Sequence, residues 1–189
     1  SGNRKRARQI AESIISNNLD IRWVCETRLD LLNEKLLDHF YRSGCRVINV
    51  GIESADSSIL QNVDRREISS DQQKKIVDYA DKIGIRITAF YVIGLEGETV
   101  RTAENTIKYA KWLNTFVAQF FVNTPFPGTA GYEKLKHKLI NVDWQQMDCY
   151  TPVVDIDSLS SCEILSLKEK AFVSYYYRFS YLTGFVRRM

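Results

Sequence analysis

Apolar positions along this chain switch between a helical rhythm and short continuous runs. Ala7, Ile10, Ala11, Ile14 and Ile15 recur on one helical face and predict a helix over 4–16. Ile21-Arg22-Trp23-Val24-Cys25 predicts a strand that ends in Glu26-Thr27-Arg28. Leu32, Leu36, Leu37 and Phe40 mark a second helix, closed by Gly44 in the manner of a left-handed cap. Val47 to Ile52 is the next strand, so nearly continuous in apolar residues that both faces are expected to be covered. Ser70 with Gln73 reads as a capping box for a helix with Ile76, Tyr79, Ala80 and Ile83 inward, ending at Gly84. Next come a strand over 85–93, a helix over 99–113 with Ala103, Ile107, Ala110 and Leu113 inward, and a strand over 116–122.

Strands alternating with helices of this length predict parallel βαβ units. After Pro127 the rhythm breaks. Residues 131–140 read as one short helix, 141–160 as irregular, and Cys162 to about Tyr181 as one long helix. The expected architecture is α/β: a partial (β/α) TIM-like barrel of about four parallel units over 1–130, with a helical extension over 131–189 packed on it. Four strands make half to two-thirds of a barrel, not a closed one.

At 44% hydrophobic the chain can bury a sizeable core. Lys and Arg exceed Asp and Glu by only 26 to 23, a mild excess that gives no electrostatic argument for nucleic acid or an anionic membrane surface as partner, and nucleic acid is not expected. No apolar run approaches the roughly 20 residues of a membrane span. Cys25, Cys45, Cys149 and Cys162 match no zinc or redox spacing, so a reducing cytoplasm and a buried structural role for each are expected. The opening Ser1-Gly2 has the look of a tag remnant and no Met precedes it, so the sequence is expected to be a piece of a longer protein.

Three polar signatures close successive strands: Gly51-Ile52-Glu53-Ser54, Gly94-Leu95-Glu96-Gly97-Glu98-Thr99 and Thr124-Pro125-Phe126-Pro127-Gly128-Thr129. On a parallel sheet the carboxyl ends lie on one rim, where sites are built. Glu53 suits either a ligand's hydroxyls or ammonium, or a helix start shared with Ser54 and Asp56. Gly94 and Gly97 permit close approach of a flat ligand, or simply a tight corner. Arg28 either receives a ligand carboxylate or pairs with Glu26 on the same side of its strand. The proline-rich loop presents carbonyls and Thr hydroxyls, or stops the strand. Tyr175-Tyr176-Tyr177-Arg178-Phe179 fits a packing face better than base stacking.

Taken in order, Trp23…Thr27-Arg28-Leu29-Asp30, Gly44-Cys45…Gly51-Ile52-Glu53-Ser54, Gly84-Ile85…Gly94-Leu95…Gly97-Glu98-Thr99 and Thr124-Pro125-Phe126-Pro127-Gly128-Thr129 resemble the later part of the radical S-adenosylmethionine core. The likeness is strongest to the large group whose members often carry a cobalamin-binding domain ahead of it. The resemblance implies the last four strands of a six-unit barrel. It also implies a parent that binds S-adenosylmethionine and a [4Fe–4S] cluster and cleaves the former reductively to a 5′-deoxyadenosyl radical, for methyl transfer or cyclisation of a small organic substrate. By that likeness Glu53 lies near the cofactor's ribose or methionine part. Gly94 to Glu98 supports the adenine, the strand ending at Thr124 passes its edge, and Arg28 faces the cavity. The implied cofactor-binding set is Arg28, Glu53, Ser54, Gly94, Gly97, Glu98 and Thr124, with no catalytic residue and no metal ligand in this stretch.

Two features depart from the family pattern. The three-cysteine loop that holds the cluster belongs ahead of residue 1, so this stretch alone is expected to bind no iron and to be inactive. Glu96 replaces the family's usual proline, which loosens that loop. The expected partners are the missing N-terminal half of the same protein, a small-molecule substrate and, through the open edge of the Trp23 strand, a second copy of the chain. Two readings compete: a non-catalytic αβ module that binds a ligand or partner, and a relative of the tRNA methylthiotransferases or porphyrinogen oxidases.

Overall fold

Four parallel strands form one sheet in the order β1-β2-β3-β4, the topology that the strand–helix alternation demands. The computed structural model describes residues 3–62, 69–140 and 143–188; the Ser1-Gly2 pair falls outside them. The elements are α1 (Arg4–Ser16), β1 (Trp23–Thr27), α2 (Glu34–Arg42), β2 (Cys45–Glu53), α3 (Ser57–Asn62), α4 (Ser70–Ile83), β3 (Arg86–Ile93), α5 (Val100–Leu113), β4 (Val117–Val122), α6 (Ala130–Leu135), α7 (Ser161–Tyr176) and α8 (Phe179–Arg188). Short 3-10 turns cover Leu29–Leu31, Lys136–Lys138 and Trp144–Gln146. Among the described residues, no helix is long and apolar enough to cross a membrane. Two compact units share the chain: the described parts of 1–52, 66–90 and 113–118, and those of 53–65, 91–112 and 119–189.

In the first unit β1 pairs in parallel with β2, Cys25 opposite Ile48 and Thr27 opposite Val50. β2 buries Ile48 and Val50 and leaves Val47 and Asn49 half exposed, so one face is covered fully and not both. Above the buried face, α1 packs on α2 and α2 on α4, with Ala11, Leu37, Phe40, Ile76, Val77 and Ala80 inward. Trp23 locks β1 to the end of α2. Its indole N–H donates to the Ser43 carbonyl at 2.8 Å, and its ring meets Phe40 edge-on at 5.1 Å. Tyr79 donates to Asp38 at 2.8 Å, tying α4 to α2. Cys25 and Cys45 share a thiol hydrogen bond that lowers the pKa of Cys25 and raises that of Cys45.

The second unit is built around Ile93, Val122, Leu135, Val153, Val154, Ile164 and Leu167. Tyr91 stacks on Phe120 at 5.2 Å, and Tyr175 is fully buried while Tyr177 is exposed. The aromatic stretch therefore splits between core and surface.

Several sequence expectations shift. The cap of α4 is Ser69, accepting from Gln72 N–H, instead of the Ser70–Gln73 pair. The expected long final helix is two, α7 and α8, because Tyr177 ends the first in a non-helical conformation. The 131–140 helix stops at Leu135 and continues as a 3-10 turn. Ile21 precedes β1 and is exposed. Cys45 is buried as expected, Cys25 and Cys149 are half-buried, and Cys162 is exposed near the start of α7, where helical periodicity turns it outward.

Gly44 sets the entry to β2. At φ +96° it is in the left-handed region, and a Cβ there would lie 1.9 Å from the Ile21 carbonyl oxygen. Only glycine permits the 3.1 Å hydrogen bond from Trp23 N–H to the Gly44 carbonyl that aligns β1. Gly44→Ala is expected to lower stability by at least about 2 kcal/mol, because left-handed strain adds to a backbone clash. A urea titration would show this as a lower midpoint at unchanged slope.

Candidate ligand clefts at the strand ends

Glu53 ends β2 at φ +65°, a left-handed conformation that costs a non-glycine residue roughly 1 kcal/mol. Such outliers gather at ligand sites. Here Glu53 lines a cleft of about 340 Å3 together with Val92, Leu95, Phe121, Val122, Asn123, Thr124 and Cys149. Cys149 also has positive φ, +64°, and its carbonyl accepts from Val122 N–H at 2.7 Å. Asn123 N–H donates to the Ile93 carbonyl at 2.9 Å, and Thr124 Oγ1 donates to the Val122 carbonyl at 3.2 Å.

The helix-starting role open to Glu53, Ser54 or Asp56 belongs to Asp56. Its Oδ1 accepts from Ser58 N–H at 3.0 Å and from Ser58 Oγ at 2.5 Å, which holds its carboxyl below the usual range. Ser54 is buried; its hydroxyl meets Thr106 Oγ1 at 3.2 Å, while Ala55 N–H donates to the same oxygen at 3.1 Å. Ser54 thus pins the chain after β2 to α5.

Gly94, at φ +85°, and Gly97, at φ +80°, turn the loop after β3. Glu98 is fully buried, and its Oε2 accepts from Gly94 N–H at 2.6 Å, so this carboxyl builds the loop. Its Oε1 is buried without a hydrogen-bond partner. Burial pushes the Glu98 carboxyl up to about 7, aided by the charge of Asp56 and opposed by the Gly94 and Leu95 backbone N–H groups. Leu95, held by this loop, is the floor of a second cleft of about 460 Å3 lined by Glu96, Asn123, Thr124, Pro125, Phe126, Thr129, Ala130, Gly131, Lys134 and Leu135. Glu96 pairs with Lys134 at 2.7 Å.

The structure therefore brings Glu53 and Thr124 into one cleft and makes Gly94, Gly97 and Glu98 a single loop. Arg28 belongs to the first unit. Its guanidinium is engaged bidentately by Asp30 at 2.9 and 2.8 Å, not by Glu26, which accepts from Asn49 at 3.4 Å. The turn at Leu29–Leu31 folds Asp30 back onto Arg28, a geometry that strand alternation does not anticipate. Leu95, Asn123, Lys134 and Cys149 also line the clefts. Leu95 lies inside the glycine signature and Asn123 directly precedes the proline-rich one, whereas Lys134 and Cys149 carried no sequence signal towards a site. Among the described residues no group of His, Cys, Asp and Glu gathers as a metal site.

Because its folded pKa is raised, Glu98 favours folding while protonated. That contribution is complete below about pH 4.5 and is lost as pH rises towards 7. Across that window wild type is expected to lose up to about 3 kcal/mol relative to Glu98→Gln. Parallel denaturant titrations at pH 4.5 and pH 8 would show it.

Comparison with known proteins agrees with this architecture. Residues 3–110 match the family model of the radical SAM superfamily. The chain is 34% identical over 178 residues to an uncharacterized methyltransferase of Pyrococcus horikoshii, covering 93% of this chain and 39% of that protein. It is 30% identical over 164 residues to an anaerobic magnesium-protoporphyrin IX monomethyl ester cyclase of Rubrivivax gelatinosus, covering 86% and 29%. Coproporphyrinogen III oxidase from Escherichia coli, a radical SAM enzyme, shares the fold at a TM-score of 0.67 and 16% identity over 93% of this chain and 37% of that one. The chain thus spans well under half the length of these relatives. With more than half its residues in the family model and these relatives beside it, the chain belongs to the radical SAM superfamily.

Proposed function

We propose that this chain is the later, cofactor-facing part of a radical S-adenosylmethionine enzyme that transfers a methyl group to a small organic substrate. The observation that carries this reading is Glu53, a carboxylate held in a left-handed conformation at the end of β2 on a cleft between apolar walls. A nucleoside with an amino-acid tail fits that donor set. The carboxylate accepts from ribose hydroxyls or an ammonium group, Val92, Leu95 and Phe121 offer apolar surface, and the Gly94–Gly97 loop presents backbone. With a reduced [4Fe–4S] cluster held elsewhere in the protein, bound S-adenosylmethionine would supply one-electron radical chemistry. The residues here bind and orient it: Glu53 and Thr124 on the cleft, Gly94 and Gly97 through the loop, and Glu98 by holding that loop closed. Ser54 acts through the anchoring of β2's end to α5. Arg28, engaged by Asp30, remains in this reading a further cofactor-binding residue, as the family resemblance implies.

We assign residues 1–130 to the barrel and 131–189 to its helical extension. The cluster's thiolates and any cobalamin-binding domain belong, in this reading, to the N-terminal half of the same protein. β1 lies at the end of the strand order, with Val24 exposed, and an open apolar edge recruits strands. The preceding half of the protein, or in its absence a second copy of the chain, is its partner. Self-association of the isolated chain is expected in sedimentation, and a strict monomer at all concentrations would remove that assignment. The four free thiols fit a reducing cytoplasm.

In the full-length enzyme, Glu53→Ala is expected to weaken S-adenosylmethionine binding by about 1.5–3 kcal/mol, the scale for a hydrogen bond to a charged group. The exposed Lys82→Ala should leave binding unchanged, and unaltered binding in Glu53→Ala would sink the assignment. Ring closure is the second reading, favoured by the cyclase relative. Methyl-labelled S-adenosylmethionine separates the two, since only methyl transfer carries the label into product.

A further inference from the structure

Resting on that reading, we infer that the second cleft is the substrate's site, and that it takes a ring-sized apolar molecule bearing a carboxylate, which draws Lys134 away from Glu96. The cleft adjoins the one lined by Glu53 and shares Leu95, Asn123 and Thr124 with it. Two adjoining clefts that share lining residues are what transfer between two bound molecules requires. Its volume of about 460 Å3 suits a small ligand, and its balance of apolar wall with few polar groups is that of ligand pockets.

The walls are set before any ligand arrives. Leu95 and Leu135 are almost fully buried. Phe126 forms a half-exposed lip, and the Phe126 carbonyl accepts from Thr129 Oγ1 at 2.6 Å. Thr129 Oγ1 in turn accepts from Tyr132 N–H at 3.1 Å, so the lip and the start of α6 are fixed together.

Charge at the mouth identifies the ligand. Lys134 meets Glu96 at 2.7 Å with 55% and 37% of their side chains exposed. An exposed pair of this kind is worth at most about 1 kcal/mol, so it exchanges readily. The neighbouring cations are matched elsewhere, Lys136 by Glu133 at 2.6 Å and Lys138 by Asp157 at 2.9 Å. Among the described residues, Lys134 is the cation that lines the cleft. Glu98 builds the loop; Glu96 occupies Lys134 at the mouth. An apolar body against Phe126 and Leu135 would exclude water there and strengthen a new carboxylate–Lys134 contact.

The test uses the full-length protein with 2-naphthoate and its neutral counterpart 2-naphthamide, with binding followed by titration calorimetry or ligand-observed NMR. Naphthoate is expected to bind the tighter by about three- to fivefold, the range of one exposed charge pair. Lys134→Met should abolish that preference without changing naphthamide binding. Glu96→Gln should tighten naphthoate by a similar factor, because it removes the competing carboxylate. Equal binding of the two probes, a preference that survives Lys134→Met, or no gain in Glu96→Gln would each overturn the assignment. Unchanged thermal melting of both surface variants guards against misfolding. S-adenosylmethionine binding to Glu53→Ala reports on the cofactor cleft separately, so the two readings fail independently.

Discussion

The contact on which both clefts depend is the buried hydrogen bond from Gly94 N–H to the Glu98 carboxyl, 2.6 Å long and shielded from water. It closes the loop after β3 and so sets Leu95, which faces both clefts. A carboxyl with a single oxygen satisfied is an expensive choice for a turn, and neutralisation by burial makes it tolerable. Gly94 cannot be enlarged in compensation: its φ is +85°, and a Cβ would sit 3.1 Å from Ile164 Cδ1 on α7. The Ser158 hydroxyl donates to the Glu98 carbonyl, which adds a second restraint from the chain ahead of α7.

Polar residues at the strand ends thus divide by burial into two kinds. Ser54, Thr106 and Glu98 are buried and satisfy backbone groups, so their value is geometric. Glu53, Glu96 and Lys134 line clefts, where a charge can be exchanged for one on a ligand. The first kind keeps the second in register. The left-handed backbone of Glu53 is held by its C-terminal neighbours, with Ser54 anchored to α5 and Asp56 starting α3.

Much of the fold was legible because it rests on local rules. The helical stripe of Ala7, Ile10, Ala11 and Ile14, the left-handed glycines at 44 and 84, and the apolar runs at 47–52 and 85–93 each specify an element with little help from distant residues. Alternation of those elements then leaves a parallel sheet as the economical arrangement. Errors fell where local signals compete. Ser69 and Ser70 are both able caps, and the backbone angle at Ser69 decided between them. The break between α7 and α8 lies in an aromatic run whose composition suits either a helix or its end.

What the sequence determined by itself was the succession of strands and helices, the rim motifs and the family they resemble, since these arise from periodicity and from short residue patterns. Tertiary structure decided what each rim residue does. Glu53 and Glu98 are equally plausible rim carboxylates on paper, yet one lines a cleft and the other is sealed within its own loop. Arg28 takes Asp30 in place of Glu26 because a 3-10 turn brings that carboxylate back. The pairing of Glu96 with Lys134 joins residues 38 positions apart, a contact that only the placement of α6 against the loop after β3 creates. Burial and partnership are properties of the surrounding chain, and a residue's own identity does not carry them.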